Sequence, residues 1–233
     1  MINPDYEKTL TLADQYSIIP ICKEIYADVI TPITLLRKLA FTSSRYFLLE
    51  NVEGGEKWGR YSFLGFDPLM RVTCKEGIVR IEQDGTITER ETIKPLDVLR
   101  EIQMKYKSPS LDNMPPFTGG FVGYFAYSMI KYAEPKLKIM QGEFNDFDMM
   151  LFDKVIAFDH QRQKICIMAN IKTDNLKENY YHAIAELESI ASIIRNDMPI
   201  PKQTSDTNIQ FTCNFKKDEY CSIVEKTKEY IRE

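Results

Sequence analysis

The spacing of apolar and polar positions changes several times along the chain, and each change marks an element. Residues 5 to 15 are polar and predict a helix or an extended arm. Thr31-Pro32 opens a helix, because Thr can accept from free N–H groups and Pro suits the first turn. That helix runs to Ala40 and sets Leu35, Leu36 and Leu39 on one face. Arg45 to Glu50 (RYFLLE) is a short apolar run that fits a buried strand. Asn51 to Lys57 (NVEGGEK) is turn chemistry, since paired glycines reach backbone angles closed to other residues. Trp58 to Phe66 predicts the next strand, punctuated by Asp67-Pro68. Residues 69 to 74, 78 to 82 and 86 to 92 alternate, with Asp84-Gly85 as a hairpin turn. The stretch from 60 to 92 therefore reads as one antiparallel meander.

Pro95 to Tyr106 returns to helical spacing, with Leu96, Leu99, Ile102 and Tyr106 sharing a face. A loop over residues 108 to 116 leads into PFTGGFVGYF, ending at Phe125. Gly119, Gly120 and Gly123 inside this aromatic run point to tight backbone packing or a bulge. Met149 to Phe158 and Ile165 to Ile171 predict a hairpin joined through Asp159 to Lys164. Leu176 to Asn196 predicts a long helix on Tyr180, Ile184, Leu187, Ala191 and Ile194. Three regions result: a domain over residues 1–197, a Pro-containing polar linker over 198–214, and an amphipathic helix over 215–233. This helix carries Tyr220, Ile223, Val224, Tyr230 and Ile231 on one side and reaches Glu233 with no stop signal. The expectation is that the natural protein continues.

Composition narrows the function classes. With 44% hydrophobic and 27% charged residues, the chain can build a core. A net charge of −4 and no block of basic residues argue against a nucleic-acid partner. The N-terminus lacks the apolar core of a signal peptide, and no apolar run approaches the roughly 20 residues that span a bilayer, so no membrane role is expected. Five scattered cysteines (Cys22, Cys74, Cys166, Cys213, Cys221) suit the reduced thiols of a cytoplasmic protein.

The residues offer no catalytic constellation. His160 lies in a predicted hairpin turn and His182 in a helix, neither in a ligand pattern. GGFVG departs from the dinucleotide fingerprint in spacing and context. Two features remain. Glu50 ends an apolar run, where a carboxylate needs a partner, and the amide of Asn51 follows it. Acid and amide together can hold a free amino acid by charge-assisted hydrogen bonds; alternatively Glu50 pairs with Arg45 or Arg60. Next, Arg60, Tyr61 and Ser62 present a cation, a phenol and a hydroxyl, or simply the polar rim of an edge strand. On a strand, Arg60 and Ser62 face one side and Tyr61 the other.

Three runs add a resemblance. FLLENVEGGEKWGRYSFLGFDP (Phe47 to Pro68) and PFTGGFVGYFAYSMIKY (Pro116 to Tyr132) resemble the N-terminal part of anthranilate synthase component I, and FKKDEYCSIVEKTKEYIRE (Phe215 to Glu233) resembles the opening helix of that family's chorismate-binding domain, a truncated start of it. The glycine-aromatic run is shared with aminodeoxychorismate synthase component I. The resemblance implies an α+β fold, mostly antiparallel sheet packed with helices, within a larger layered α/β/β/α chorismate-utilising enzyme. It implies a lyase that converts chorismate to anthranilate and pyruvate with Mg²⁺ and ammonia, the ammonia coming from a glutamine amidotransferase subunit (component II). It further implies inhibition by tryptophan bound at Leu48, Leu49, Glu50 and Asn51, with Arg60, Tyr61 and Ser62 as the opposite wall. Asn51 stands where the family usually has Ser. The family's chorismate and Mg²⁺ ligands lie in its C-terminal half. No catalytic, cofactor or metal residue is therefore expected here, and the 233 residues alone are expected to make no anthranilate. The rival readings are the matching part of the folate-branch enzyme and a non-catalytic amino-acid-binding module.

Overall fold

The computed structural model describes residues 2–28, 30–50, 59–137, 139, 142–196 and 212–232. The chain divides into two units, Met1–Pro199 and Ile200–Glu233. The larger begins with a two-residue strand, β1 (Ile2–Asn3), and helix α1 (Tyr6–Ala13), capped by Asp5 accepting from the Lys8 N–H at 2.9 Å. Strand β2 (Ile18–Tyr26) follows, then α2 (Pro32–Leu39), with Thr31 as the capping acceptor and Pro at the first turn. Strands β3 (Tyr46–Leu49), β4 (Tyr61–Phe66), β5 (Met70–Lys75), β6 (Ile78–Gln83) and β7 (Thr86–Glu91) come next, closed by α3 (Pro95–Met104). Strand β8 (Gly120–Phe125) leads through a 3-10 turn into the short α4 (Ile130–Ala133). The unit ends with β9 (Phe147–Phe152), β10 (Lys154–Asp159), β11 (Lys164–Lys172) and α5 (Leu176–Arg195).

The strands form two sheets in which every pair is antiparallel. One has the order β1-β2-β11-β10-β4-β3 and the other β7-β6-β5-β9-β8. Period-two alternation assigns the faces. In β10, Ile156 and Phe158 pack with Leu35 and Leu39 of α2 and Leu187 and Ile190 of α5. Val155 and Ala157 point the other way and meet Phe152 of the second sheet. In β9, Phe147, Met149 and Leu151 pack on Val98, Leu99 and Ile102 of α3. The layer order is therefore helix, sheet, sheet, helix, and the fold is α+β with antiparallel sheets, as the resemblance implied. Burying each of these large side chains contributes about 1.5–3 kcal/mol before entropy is subtracted.

Two sequence expectations change, and one strand was not expected. The run Met149 to Phe158 is two strands rather than one, broken at Asp153, with β9 and β10 in different sheets. The break is closed by Asn170, whose backbone N–H (2.9 Å) and Nδ2 (2.8 Å) both donate to the Asp153 carbonyl. Residues 60 to 92 are likewise not one meander. Strand β4 pairs with β3 and β10, while Asp67, at φ 53, and Pro68 turn the chain into the other sheet. Strand β2 escaped the periodicity because Pro20 sits inside it, and proline argues against an inner strand. It is tolerated because β1 pairs only with Cys22 and Lys23, so the neighbour on that side never reaches Pro20.

Tight packing accounts for the glycine-aromatic run. A Cβ on Gly123 would lie 2.0 Å from the Asp148 carbonyl oxygen, and one on Gly119 would lie 2.5 Å from Asn170 Nδ2. A buried lysine fastens the helical layer: Lys38 Nζ donates to the carbonyls of Ile193, Ile194 and Asn196 (3.3, 3.2 and 2.7 Å) at the negative end of α5. In the second unit, the described segment contains one helix, α6 (Lys217–Arg232). The expected turn over 51–57 and most of the expected linker lie outside the described residues.

Candidate functional site

Strands β3 and β4 bring together the two stretches that the sequence singled out. Their register pairs Leu48 with Leu64 and Leu49 with Phe63. Glu50 stands one step beyond, level with Ser62 if the register is continued. Leu49, Tyr61 and Phe63 share the face that looks toward the second sheet, where Phe63 meets Phe117 edge-on at 5.6 Å. Asn51 lies outside the described residues.

Glu50 is exposed, so its carboxylate carries no desolvation cost. Neither arginine considered as its partner pairs with it. Arg45 donates to Glu82 at 2.8 Å, and Arg60 makes a two-pronged pair with Asp159, Nε to Oδ1 at 3.0 Å and Nη2 to Oδ2 at 2.6 Å. Burial would raise the Asp159 carboxyl, but Arg60 and the backbone N–H of Arg162 outweigh it and hold it below the ordinary carboxylate range. The same pair raises the Arg60 guanidinium, and burial followed by the Asp159 charge raises the Tyr61 phenol. Arg60 also lies over the Tyr61 ring, 4.8 Å from its centre.

The alternation expected from the strand is broken at its first position. Arg60 precedes β4 in a bend and turns to the side of Tyr61 and Asp159, while Ser62 faces the helices. Ser62 is 1% exposed, and its Oγ lies 2.7 Å from His160 Nε2. Strand β4 lies inside the sheet, paired with β10 over Tyr61 to Gly65 and with β3 over Phe63 to Phe66. Sequence reasoning missed Asp159 and His160 as members of this cluster. Asp159 ends β10 and His160 opens the short connection to β11, and the pairing of β10 with β4 brings both alongside Arg60 and Ser62. Chemically, the cluster offers an exposed carboxylate, a guanidinium with N–H groups left over, a phenol and an apolar shelf. These groups suit recognition of a small polar-apolar ligand. They supply no nucleophile–base pair open to a substrate, because the Ser62 hydroxyl is buried.

Comparison with known proteins places the chain. A family model described as chorismate binding enzyme matches residues 46–233. The chain belongs to that family. Among curated relatives, anthranilate synthase component 1 of Acetivibrio thermocellus is 34% identical, over 100% of this chain and 49% of its own length. The component 1 proteins of Aquifex aeolicus (31%, 99% of this chain, 48% of the relative) and Pseudomonas aeruginosa (34%, 94%, 46%) are similar. The chain thus spans about half the length of the curated relatives it matches. The crystal structure of anthranilate synthase component I from Streptococcus pneumoniae shares the fold, with a TM-score of 0.56 at 22% identity, covering 89% of this chain and 45% of that one. The resemblance to anthranilate synthase component I drawn from the three motifs agrees with these matches.

Proposed function

We propose that this chain is the tryptophan-sensing N-terminal portion of a cytoplasmic anthranilate synthase large subunit. The reading is supported by the β3–β4 pairing, which ends with Leu49 opposite Phe63, just before Glu50 on one strand and just after Arg60, Tyr61 and Ser62 on the other, in a chain about half as long as relatives that bear that enzyme's name. Glu50 takes the α-ammonium of tryptophan by a charge-assisted hydrogen bond, and the apolar shelf of Leu49 and Phe63 takes part of the indole. The Arg60 N–H groups not spent on Asp159 are the candidates for the ligand carboxylate. Chorismate, ammonia from a glutamine amidotransferase subunit (component II) and Mg²⁺ are engaged by the larger polypeptide, which acts as a lyase. Among the described residues, no three or more His, Cys, Asp or Glu side chains converge as a metal ion needs. No helix among them is long and apolar enough to cross a membrane.

The test gives chorismate, ammonium and Mg²⁺ to a polypeptide carrying this chain together with the half that its relatives have in addition. Anthranilate fluorescence is followed with and without tryptophan, in wild type and Glu50→Ala. Anthranilate formed, inhibited by tryptophan and desensitised in Glu50→Ala, is the expected outcome. A trapped aminodeoxychorismate product would move the assignment to the folate branch. Turnover by the 233-residue chain alone would overturn its proposed inactivity.

A further inference from the structure

Among the described residues, four strands end the two sheets: β1 and β3 in the first, β7 and β8 in the second. An end strand leaves a row of N–H and C=O groups without a partner, and such a row templates a further strand unless something blunts it. Three of the four are blunted. Strand β1 is two residues long and is followed by Pro4. Strand β3 is four residues long and stands between the charges of Arg45 and Glu50. Strand β7 carries Glu89, Arg90 and Glu91. Strand β8 has none of these protections. Its six residues (GFVGYF) include no charge and no proline, and Gly119 and Ala126 flank it.

The register with β9 tells which backbone groups of β8 are free. The Ala126 N–H donates to the Asp146 carbonyl at 2.8 Å, one step past the pair of Phe125 with Phe147. Backbone groups alternate in direction along an antiparallel ladder, so Gly120, Val122 and Tyr124 also turn toward β9. Phe121, Gly123 and Phe125 therefore turn outward. Gly123 is exposed, and a glycine has only backbone to expose. Tyr124 is 41% and Phe125 53% exposed, and successive side chains take opposite faces, so aromatic surface borders the open edge on both sides.

We propose that two copies of this chain pair through β8, antiparallel and centred on Gly123. The three outward residues are symmetric about Gly123, so a two-fold axis there sets Phe121 against the second copy's Phe125 and glycine against glycine. Each of these pairs exchanges both backbone hydrogen bonds. Phe121 beside Phe125 on one face, and Val122 beside Tyr124 on the other, are the apolar cross-strand neighbours that stabilise a ladder. No like charges meet across the axis, and no side chain stands at its centre. Two five-stranded sheets become one continuous sheet. The pairing does not involve the proposed tryptophan site.

The test is analytical ultracentrifugation of the 233-residue chain over a range of concentrations, with hydrogen exchange of the β8 amides followed over the same range. A concentration-dependent dimer is expected. As it forms, the amides of Phe121, Gly123 and Phe125 slow, while those of Gly120, Val122 and Tyr124, already bonded to β9, do not change. Tyr124→Lys gives β8 the kind of charge that guards β7, at an exposed position, and weakens the dimer roughly tenfold. The alternating amide pattern of the unsubstituted chain decides the matter if that variant does not fold. A monomer at every concentration, or undiminished dimerisation of Tyr124→Lys, would overturn the proposal. So would a dimer whose outward β8 amides exchange as fast as in the monomer, the result expected if the exposed Tyr220, Ile223 and Tyr230 of α6 made the contact instead.

Discussion

An aspartate stands at each end of strand β10, and their surroundings shift the two carboxyls in opposite directions. Asp159, its last residue, is 4% exposed and receives Arg60 through two good hydrogen bonds. Asp153, just before its first residue, has a side chain 21% exposed with one oxygen buried, and only Lys154 at 3.6 Å, shared with two other acids. Arg60 and the Arg162 N–H hold the Asp159 carboxyl below its ordinary range despite burial; at Asp153 burial prevails over Lys154 and raises the carboxyl above it. The difference lies in geometry rather than in the number of cations. A guanidinium fork matches both carboxylate oxygens, whereas a point-like ammonium among three carboxylates matches none of them well. One end is therefore a finished structural pair and the other an open one.

The sharpest way to break this comparison is to remove Arg60. Arg60→Ala leaves the Asp159 charge buried without its partner. Because the Arg60 side chain is 28% exposed, a loss of about 2–3 kcal/mol is expected, below the value for a fully buried pair. Urea unfolding would read it, and an unchanged midpoint would show that the fork is decorative. Asp153→Asn should stay within about 1 kcal/mol of wild type at neutral pH, since Lys154 keeps Asp67 and Glu186. A loss as large as that of Arg60→Ala would mean that Asp153 and Lys154 are already a satisfied pair.

Acid titration separates the two ends by sign. Asp159 has a depressed folded pKa, so its contribution is present above about pH 3.9 and is lost as pH falls through the folded value. Asp153 has a raised folded pKa, so the folded state holds the proton more tightly. Stability from that residue falls as pH rises from about 3.9 through the folded value. Unfolding free energies measured from pH 3 to 7 should therefore show a smaller acid-side loss in Asp159→Asn and a flatter upper slope in Asp153→Asn. The same change in both variants would contradict the contrast.

How far each end was legible in the sequence follows from the same physics. Helix α2 announced itself through its cap and period, α3 and α5 through period alone, and the hairpin of β10 and β11 through its apolar runs. The Asp153 break did not, although Asp153-Lys154 was the one polar pair in that run. Local periodicity cannot reveal that a strand changes sheets, because both halves keep the period of two. The pairing of Glu50 with Arg45 or Arg60 failed for a similar reason. Nearness in sequence suggested the partners, while strand register delivered Glu82 to Arg45 and Asp159 to Arg60. Leu49, Glu50 and the residues from Arg60 to Ser62 were found as separate motifs, and the β3–β4 register, which sets Leu49 opposite Phe63, brings the ends of the two runs to the same part of the sheet.

The smallest effect expected concerns Ser62, which shares its end of β10 with Asp159 but is neutral. Its buried hydroxyl finds a partner in His160, whose ring is exposed. His160→Ala leaves that hydroxyl without a partner in a dry place and should lose about 1 kcal/mol. Ser62→Ala removes the buried polar group itself, and the exposed imidazole regains water, so its loss should be only a few tenths of a kcal/mol. Calorimetric unfolding of both variants tests the asymmetry. If Ser62→Ala is the more damaging, the hydroxyl makes a stabilising contact beyond the one with His160, and the cluster at this end of β10 is held by more than its charge pair.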